Sequence, residues 1–499
     1  MSFQFMHKIL TLIFLLSILS ACGAPPASAP GQANPTALIS SSPDPTHVQP
    51  SATPTATATQ AQNSACSPIP LGESLAFVTY KAGNQITPID PQNGLPTCGY
   101  QPLTLRDFSQ YAFSPNQKIL AISDEDLGAS PDVRLHLIDL ETWQVAPTSI
   151  AVDGWVNSQV FNPSSTQLAM LVHPDSSQAQ GDNLEVVDLQ SQAVVKRQAL
   201  GFSPSLAQYT PDGRQLVLFG GDQSAQADTT PAAHLLVLDA QDYSTLWETQ
   251  FEKIPDGIRT PKETSTDPIP DQWGPAAALS QDGHSLFILH ADGASLTTVN
   301  LENHQVTTQD VSPKLSWLSK LIGLGAQTAY AKGINGTTRQ GVLSSKGLFY
   351  TLGNTNTSAK DANGNWSFSS TPLGLQVIDV QNGEIVGQLD TQTSQLALSA
   401  DESRLYLQGW NEEQPWTEVI STDGLQVLRR MENTYLAPAK LLNGQNILMS
   451  SQVGVDRKIS LGVVDPQALE SGNPWPTWTF ANSWQLRSDP PWLSPSAHN

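Results

Sequence analysis

The sequence predicts an all-β protein, a seven- or eight-bladed β-propeller carried behind a signal peptide and a disordered tether. Three observations predict it. From about Cys66 onward, short apolar runs recur between clusters of Gly, Pro, Asn and Asp, with no convincing helical periodicity beyond two turns. The runs repeat at a period of about fifty residues. The stretch before Cys66 has a wholly different composition, first apolar and then Pro-, Ser-, Thr- and Ala-rich.

The leader comes first. His7 and Lys8 precede an apolar run from Ile9 to Leu19, broken only by Thr11 and Ser17. That is the length of a signal-peptide core and too short to cross ~30 Å of hydrocarbon as a helix. The run ends in Leu19-Ser20-Ala21-Cys22, followed by Gly23. This segment resembles the lipobox of bacterial lipoproteins, and the resemblance implies that the Cys22 thiol carries palmitate-type acyl chains once residues 1–21 are removed. Several acyl chains on one residue make a stable membrane anchor, because each buried methylene contributes ~0.8 kcal/mol.

Residues 22–65 read as a tether. Passages such as Ser51-Ala-Thr-Pro-Thr-Ala-Thr-Ala-Thr59 have no apolar periodicity and cannot offset the entropy of ordering. As a flexible coil, a segment of this length reaches about 35 Å root-mean-square. The other two cysteines, Cys66 and Cys98, are expected to pair, since an exported protein meets an oxidising compartment. Two inert buried thiols are the alternative.

Residues 66–486 carry the repeats, with 487–499 as a tail. One element is an apolar strand closed by an acid or its amide. It runs through Ile86-Thr-Pro-Ile-Asp90, Leu135-His-Leu-Ile-Asp139, Leu184-Glu-Val-Val-Asp188 and Leu235-Leu-Val-Leu-Asp239. Leu296-Thr-Thr-Val-Asn300, Leu375-Gln-Val-Ile-Asp379 and Leu461-Gly-Val-Val-Asp465 continue it, with Thr417-Glu-Val-Ile-Ser421 a degraded copy. The other element is a turn followed by a strand, as in Ser114-Pro-Asn-Gln-Lys-Ile-Leu-Ala-Ile122 and Thr210-Pro-Asp-Gly-Arg-Gln-Leu-Val-Leu218. Pro-Asp-Gly and Asn-Gly supply turn dihedrals, and the closing Asp opens the next turn. Such units cannot bury both faces alone, so they stack radially. Two polar insertions, Glu252 to Trp273 and Gly353 to Thr371, lengthen the period and are expected to be long loops on one propeller face.

The pattern resembles the YVTN/WD40-like propellers of bacterial exported proteins over nearly all of Cys66 to Trp484, without the Gly-His and Trp-Asp signatures of true WD40 blades. Leu238-Asp-Ala-Gln-Asp-Tyr-Ser-Thr-Leu-Trp-Glu248 resembles the tryptophan-docking repeat of quinoprotein-type propellers. It is clear only once, so Trp247 is read as a single interblade packing residue.

Chemistry is sparse. His-x-His, His-Glu-x-x-His and Cys-x-x-Cys are absent, so no metal or cofactor is expected. Gly-x-Ser at Gly128, Gly201 and Gly293 is followed by Asp132, Ser205 and Thr297 where a serine-nucleophile elbow needs Gly, and no catalytic residue is assigned. Asp361-Ala-Asn-Gly-Asn365 is only loosely like a calcium loop and reads as a plain polar loop. Asp124-Glu-Asp126 reads as a solvated loop. The Trp-rich segment from Trp475 and Trp478 through Trp484 to Trp492 reads as a closing strand and packed tail. A formal charge of −21 argues against nucleic acid.

The expectation is a non-enzymatic binding or scaffold protein, anchored through Cys22 to the outer face of the cytoplasmic membrane or to the outer membrane. Loops on one propeller face would hold a protein or glycan. A propeller enzyme, lactonase-like hydrolase or quinoprotein-like dehydrogenase, is the rival reading.

Overall fold

The computed structural model describes residues 66–79, 84–126, 132–174, 181–225, 229–259, 271–311, 334–360, 366–411, 414–453, 459–465, 469 and 475–480. The chain divides into Met1–Asn63 and Ser64–Asn499, and all described residues belong to the second unit. The leader, Cys22 and the tether lie outside them.

The turns explain why the repeats fold as they do. The closing acid of each strand accepts main-chain N–H groups two or three residues on: Asp139 Oδ1 from Glu141 and Thr142 at 2.9 and 2.8 Å, Asp239 Oδ1 from Gln241 at 2.7 Å. Asn300 and Asp379 repeat the arrangement. The second turn is built by a hydroxyl. Ser399 Oγ accepts the Arg404 N–H at 2.9 Å while donating to Asp401 at 2.6 Å, and Thr210 does the same with Gln215 and Asp212. Short polar side chains thus replace main-chain partners and fold each strand back.

The result is an all-β propeller. Among the described residues, six sheets of three to five strands stand separately as blades, fewer than the seven or eight expected. The difference lies in a seventh, eleven-stranded sheet, which contains two four-stranded antiparallel units, over residues 203–255 and 334–389. The first insertion fuses them through two short strands. Taken in order, the repeat units span residues 75–105, 107–152, 155–199, 203–255, 276–310, 334–389, 395–432 and 434–480.

Burial follows a ring. Each pair of neighbouring units shares one apolar cluster: Leu120 and Ile122 with Ile86 and Val78, Leu168 and Met170 with Leu135 and Val133, and onward. The last cluster joins the ends, with Leu75 and Phe77 of the first unit against Ala437, Ala439 and Met449 of the eighth. A sheet apolar on both faces has no other way to hide both, so stacking supplies the core.

Two expectations are corrected. The described parts of the insertions are strands and not loops: Thr245–Pro255, Gly257–Arg259 and Asp271–Gly274 in the first, Leu348–Lys360 and Trp366–Pro372 in the second. Polar β-branched and hydroxyl residues extend strands when a neighbour supplies hydrogen bonds. Asp124 is likewise not in a solvated loop but buried in the strand Ile119–Asp126, where Arg106 and His136 surround it.

Candidate functional site

The strand Gln215–Ala225 pairs with its two neighbours in the fourth unit only as far as Gly221, opposite Ser203 and Ala233. Beyond that point Asp222 and Ala225 pair in parallel with Gly257 and Arg259. Gly257–Arg259 then pairs antiparallel with Asp271–Gly274, and this strand pairs in parallel with Gly336–Thr338. Ile334–Leu343 pairs with Leu348–Lys360, whose outer half, Asn354–Lys360, pairs with Trp366–Pro372. The two insertions therefore join in one accessory sheet that reaches from the fourth unit to the sixth. Glycine permits the crossings. A Cβ on Gly257, at φ +115°, would lie 1.9 Å from the Asp222 carbonyl oxygen, and one on Gly336, at φ +134°, 1.6 Å from that of Gln272.

The side chains on this sheet combine an ion pair, an aromatic ring and a row of hydroxyls. Arg259 ion-pairs with Asp271 and lies over the Trp273 ring at 5.4 Å. Thr337 meets Thr355 at 3.3 Å and Thr357 meets Ser369 at 3.1 Å, and Ser369, Ser370 and Thr371 are exposed. Hydroxyls both donate and accept, so the surface can match a partner of either kind. At the foot of the sheet, Arg339 donates from Nε to the Ala291 carbonyl at 2.8 Å and from Nη1 to Gln376 Oε1 at 3.1 Å. Burial pulls this guanidinium down to about 10.

Asp256 sits where the fourth unit passes into the accessory sheet. It is 5% exposed, and one carboxylate oxygen has no hydrogen-bond partner. Burial first, and then the charge of Asp222, push its pKa up to about 8. Asp222 itself lies 3.2 Å from His234 Nε2, and the His234 ring stacks on Phe202 at 5.1 Å.

Two neighbouring units carry further Asp–His pairs. Asp124 is held at a pKa of about 2: burial opposes its charge, but the His136 imidazole at 3.1 Å and hydrogen bonds from Arg106 outweigh that. Asp182, buried, meets His173 Nδ1 at 2.9 Å and accepts from Ser203 Oγ at 3.2 Å. The Ser203 hydroxyl is thus spent on the carboxylate instead of the imidazole, so the three do not form a nucleophile relay. Among the described residues, no three His, Cys, Asp or Glu side chains converge as a metal site requires. A groove of about 400 Å³ lies between the last two units, lined by Arg429, Arg430, Asn433, Gln452, Ser460 and Trp475 among others.

The residues singled out from sequence fall as follows. Cys66 and Cys98 are joined, with S–S 2.01 Å. Trp247 stacks on His304 at 4.6 Å, across the junction of the fourth and fifth units. Trp475 donates to Ser450 at 2.8 Å and Trp478 to the Pro91 carbonyl at 3.1 Å. Trp484, Trp492 and Asp361–Asn365 lie outside the described residues, as does Cys22. Sequence reasoning missed Asp256 and Asp222, because burial decides their character and no motif marks them.

No family model matches the chain, and neither does any curated protein. Solved structures do. Dihydro-heme d1 dehydrogenase NirN, in complex with DHE, aligns over 80% of this chain and 72% of its own, at 13% identity and a TM-score of 0.48. Kuenenia stuttgartiensis hydrazine synthase aligns over 71% and 94%, at 13% identity and 0.39. A eukaryotic initiation factor aligns over 83% and 98%, at 12% identity and 0.44. None of these likenesses bears on activity.

Proposed function

We propose that this chain is a non-enzymatic binding or scaffold lipoprotein on the extracytoplasmic side of a membrane, held through Cys22. Its body is an eight-bladed ring of the YVTN/WD40-like kind, and its contact surface is the accessory sheet. One observation carries the reading. Two insertions about a hundred residues apart in sequence have been spent on a single sheet that the ring itself does not need. The tether lets that surface meet a protein or glycan away from the bilayer.

The test uses native membranes. A variant with residues 354–372 excised, joining Gly353 to Leu373 across the hydrogen bond they already share at 2.8 Å, removes the outer sheet. Arg259→Ala with Trp273→Ala removes the charged patch. Wild-type protein should retain a stoichiometric partner through affinity purification, and both variants should lose it while keeping an all-β spectrum. Equal recovery of that partner by the variants overturns the accessory sheet as the surface. Partition of wild-type protein, but not only of Cys22→Ser, into the aqueous phase of a detergent extraction overturns the anchor.

A further inference from the structure

The last strand of each unit is its exposed one: Ala193–Ala199 alternates exposed and half-buried residues, whereas Trp155–Phe161 of the same unit is largely buried. An edge strand of this kind is a template for pairing with another chain. The ring guards these edges. Three are short or broken: Leu103–Leu105 and Trp478–Phe480 are three residues long, and the second unit ends in Gln144–Val145 and Ile150–Val152. The five longer ones each carry charge, at Lys196, Glu248, Asp310, Glu384 and Arg430 among others. Four of those five are also bulged. Register shifts leave Val195, Leu246, Val386 and Leu428 with no residue opposite, and all four stand exposed. Short strands, charges and bulges are the devices that keep sheet edges apart.

Trp366–Pro372, in the accessory sheet, has none of these. It is seven residues long, carries no charged residue in a chain of formal charge −21, and pairs with Asn354–Lys360 in an unbroken register. Among the described residues it pairs with no other strand. Pro372, which has no N–H, stands at its end and leaves the residues before it able to donate.

We propose that this edge pairs with the same edge of a second copy, antiparallel about a two-fold axis at Ser369, so that two accessory sheets become one. The proposal concerns the edge and does not rest on what the face of the sheet binds. Neutrality selects a second copy over a foreign strand. An edge that recognises another protein can carry charge and use it to choose its partner. An edge that meets itself sets every residue at the axis against its own copy, where like charges repel. Register is the second argument. About Ser369 the strand sets Trp366 opposite Pro372, Phe368 opposite Ser370 and Ser367 opposite Thr371, so each large residue meets a smaller one. Ser369 meets Ser369, and the exposure of Ser369, Ser370 and Thr371 leaves the segment open to approach. A single strand pair buries less than the roughly 1,600 Å² of a standard interface, so the dimer is a weak one that dilution separates.

Cross-linking of the full-length protein in its native membranes reads the pairing. Under a mild oxidant, Ser369→Cys should form a disulfide between two copies, seen as a band of twice the monomer mass, because opposed residues of an antiparallel pair lie within disulfide reach. Thr371→Cys should cross-link at least about tenfold more slowly, since the two-fold axis holds its two copies roughly 13 Å apart along the strands. Thr307→Cys, exposed on the last strand of the fifth unit, reports random collision and should be as slow. In detergent at about 100 µM, wild-type protein should run at about twice the mass of Ser369→Lys, which sets two ammonium groups against each other on the axis. Arg259→Ala with Trp273→Ala, elsewhere on the sheet, should leave the cross-link unchanged, so loss of a bound partner and loss of the dimer are separate results. Cross-linking of Ser369→Cys no faster than of Thr307→Cys overturns the proposal, as does an equal mass for wild type and Ser369→Lys. A Ser369→Cys cross-link to a different protein overturns the second copy as the occupant.

Discussion

Trp143, Gln192, Tyr243, His304 and Leu425 all hold φ between 51° and 62°, four residues after the closing residue of their strand, where other units place Gly94 or Gly383. A left-handed residue with a Cβ costs about 1 kcal/mol or more. Trp143 offsets this by donating to the Gln101 carbonyl at 3.1 Å, and Tyr243 by bonding Tyr209 and Gln167 at 2.9 and 2.8 Å. The Asn-Gly copies of this turn are legible in the sequence because Gly marks the left-handed site. The Trp and Tyr copies are not, since their compensation comes from another strand. Asp256 is the residue whose behaviour is easiest to test. Its pKa is raised from 3.8 to about 8, so the folded state binds more protons than the unfolded chain throughout that window. The stability it contributes is present below about pH 4 and declines as pH rises through about 8. Asp256→Asn should therefore raise Tm at pH 8.5 by several degrees and flatten the slope of Tm between pH 5 and 8. Melting curves across that range settle it, and an Asn variant less stable than wild type at pH 8.5 would show that the carboxylate has a partner.

Strand elements place adjacent residues on opposite faces, and in this ring both faces are interior. Ile378 packs with Phe349, Leu289 and Leu296 toward the fifth unit, while Val377 packs with Leu352, Leu405 and Leu407 toward the seventh. Both are fully buried. Val377→Asp and Ile378→Asp should each cost about 4 kcal/mol or more by burying an unpaired charge, read as a fall in the urea midpoint. One harmless substitution would mean that a face of this strand is wet. The strands themselves were readable because their apolar runs and polar turns alternate at short range. What was not readable is the fate of Glu252–Trp273 and Gly353–Thr371. Both are polar, and their extension as strands depends on partners distant in sequence, Asp222 and Gly336–Thr338 for the first and Ile334–Arg339 for the second, which no local pattern encodes. A sheet edge made of Thr, Ser and Asn looks like a loop until its neighbour is known.

At the scale of the whole molecule, the ring must hold its first unit to its last, and among the described residues that first unit has three strands where the others have four or more. Its start is fixed by polar contacts: Ser67 N–H donates to the Pro96 carbonyl at 2.8 Å, Cys98 N–H to the Ser67 carbonyl at 2.9 Å, and Ser67 Oγ to Asp90 at 2.6 Å. The Cys66–Cys98 disulfide closes the same loop, over a separation of 32 residues. Because those hydrogen bonds already hold the two segments together in the folded state, the bond acts mainly by restricting the unfolded chain. In the chain-entropy model a loop of this size contributes roughly 3 to 4 kcal/mol. Cys66→Ser with Cys98→Ser should therefore lower the urea midpoint by that equivalent, leave the folded all-β spectrum unchanged, and increase the m-value as the unfolded chain expands. A midpoint unchanged within error would place the first unit outside the cooperative ring, free to detach without unfolding the rest. Retained amide protection of residues 84–89 in the double variant, alongside a lowered midpoint, is the combination expected of a unit that is part of the ring and melts with it.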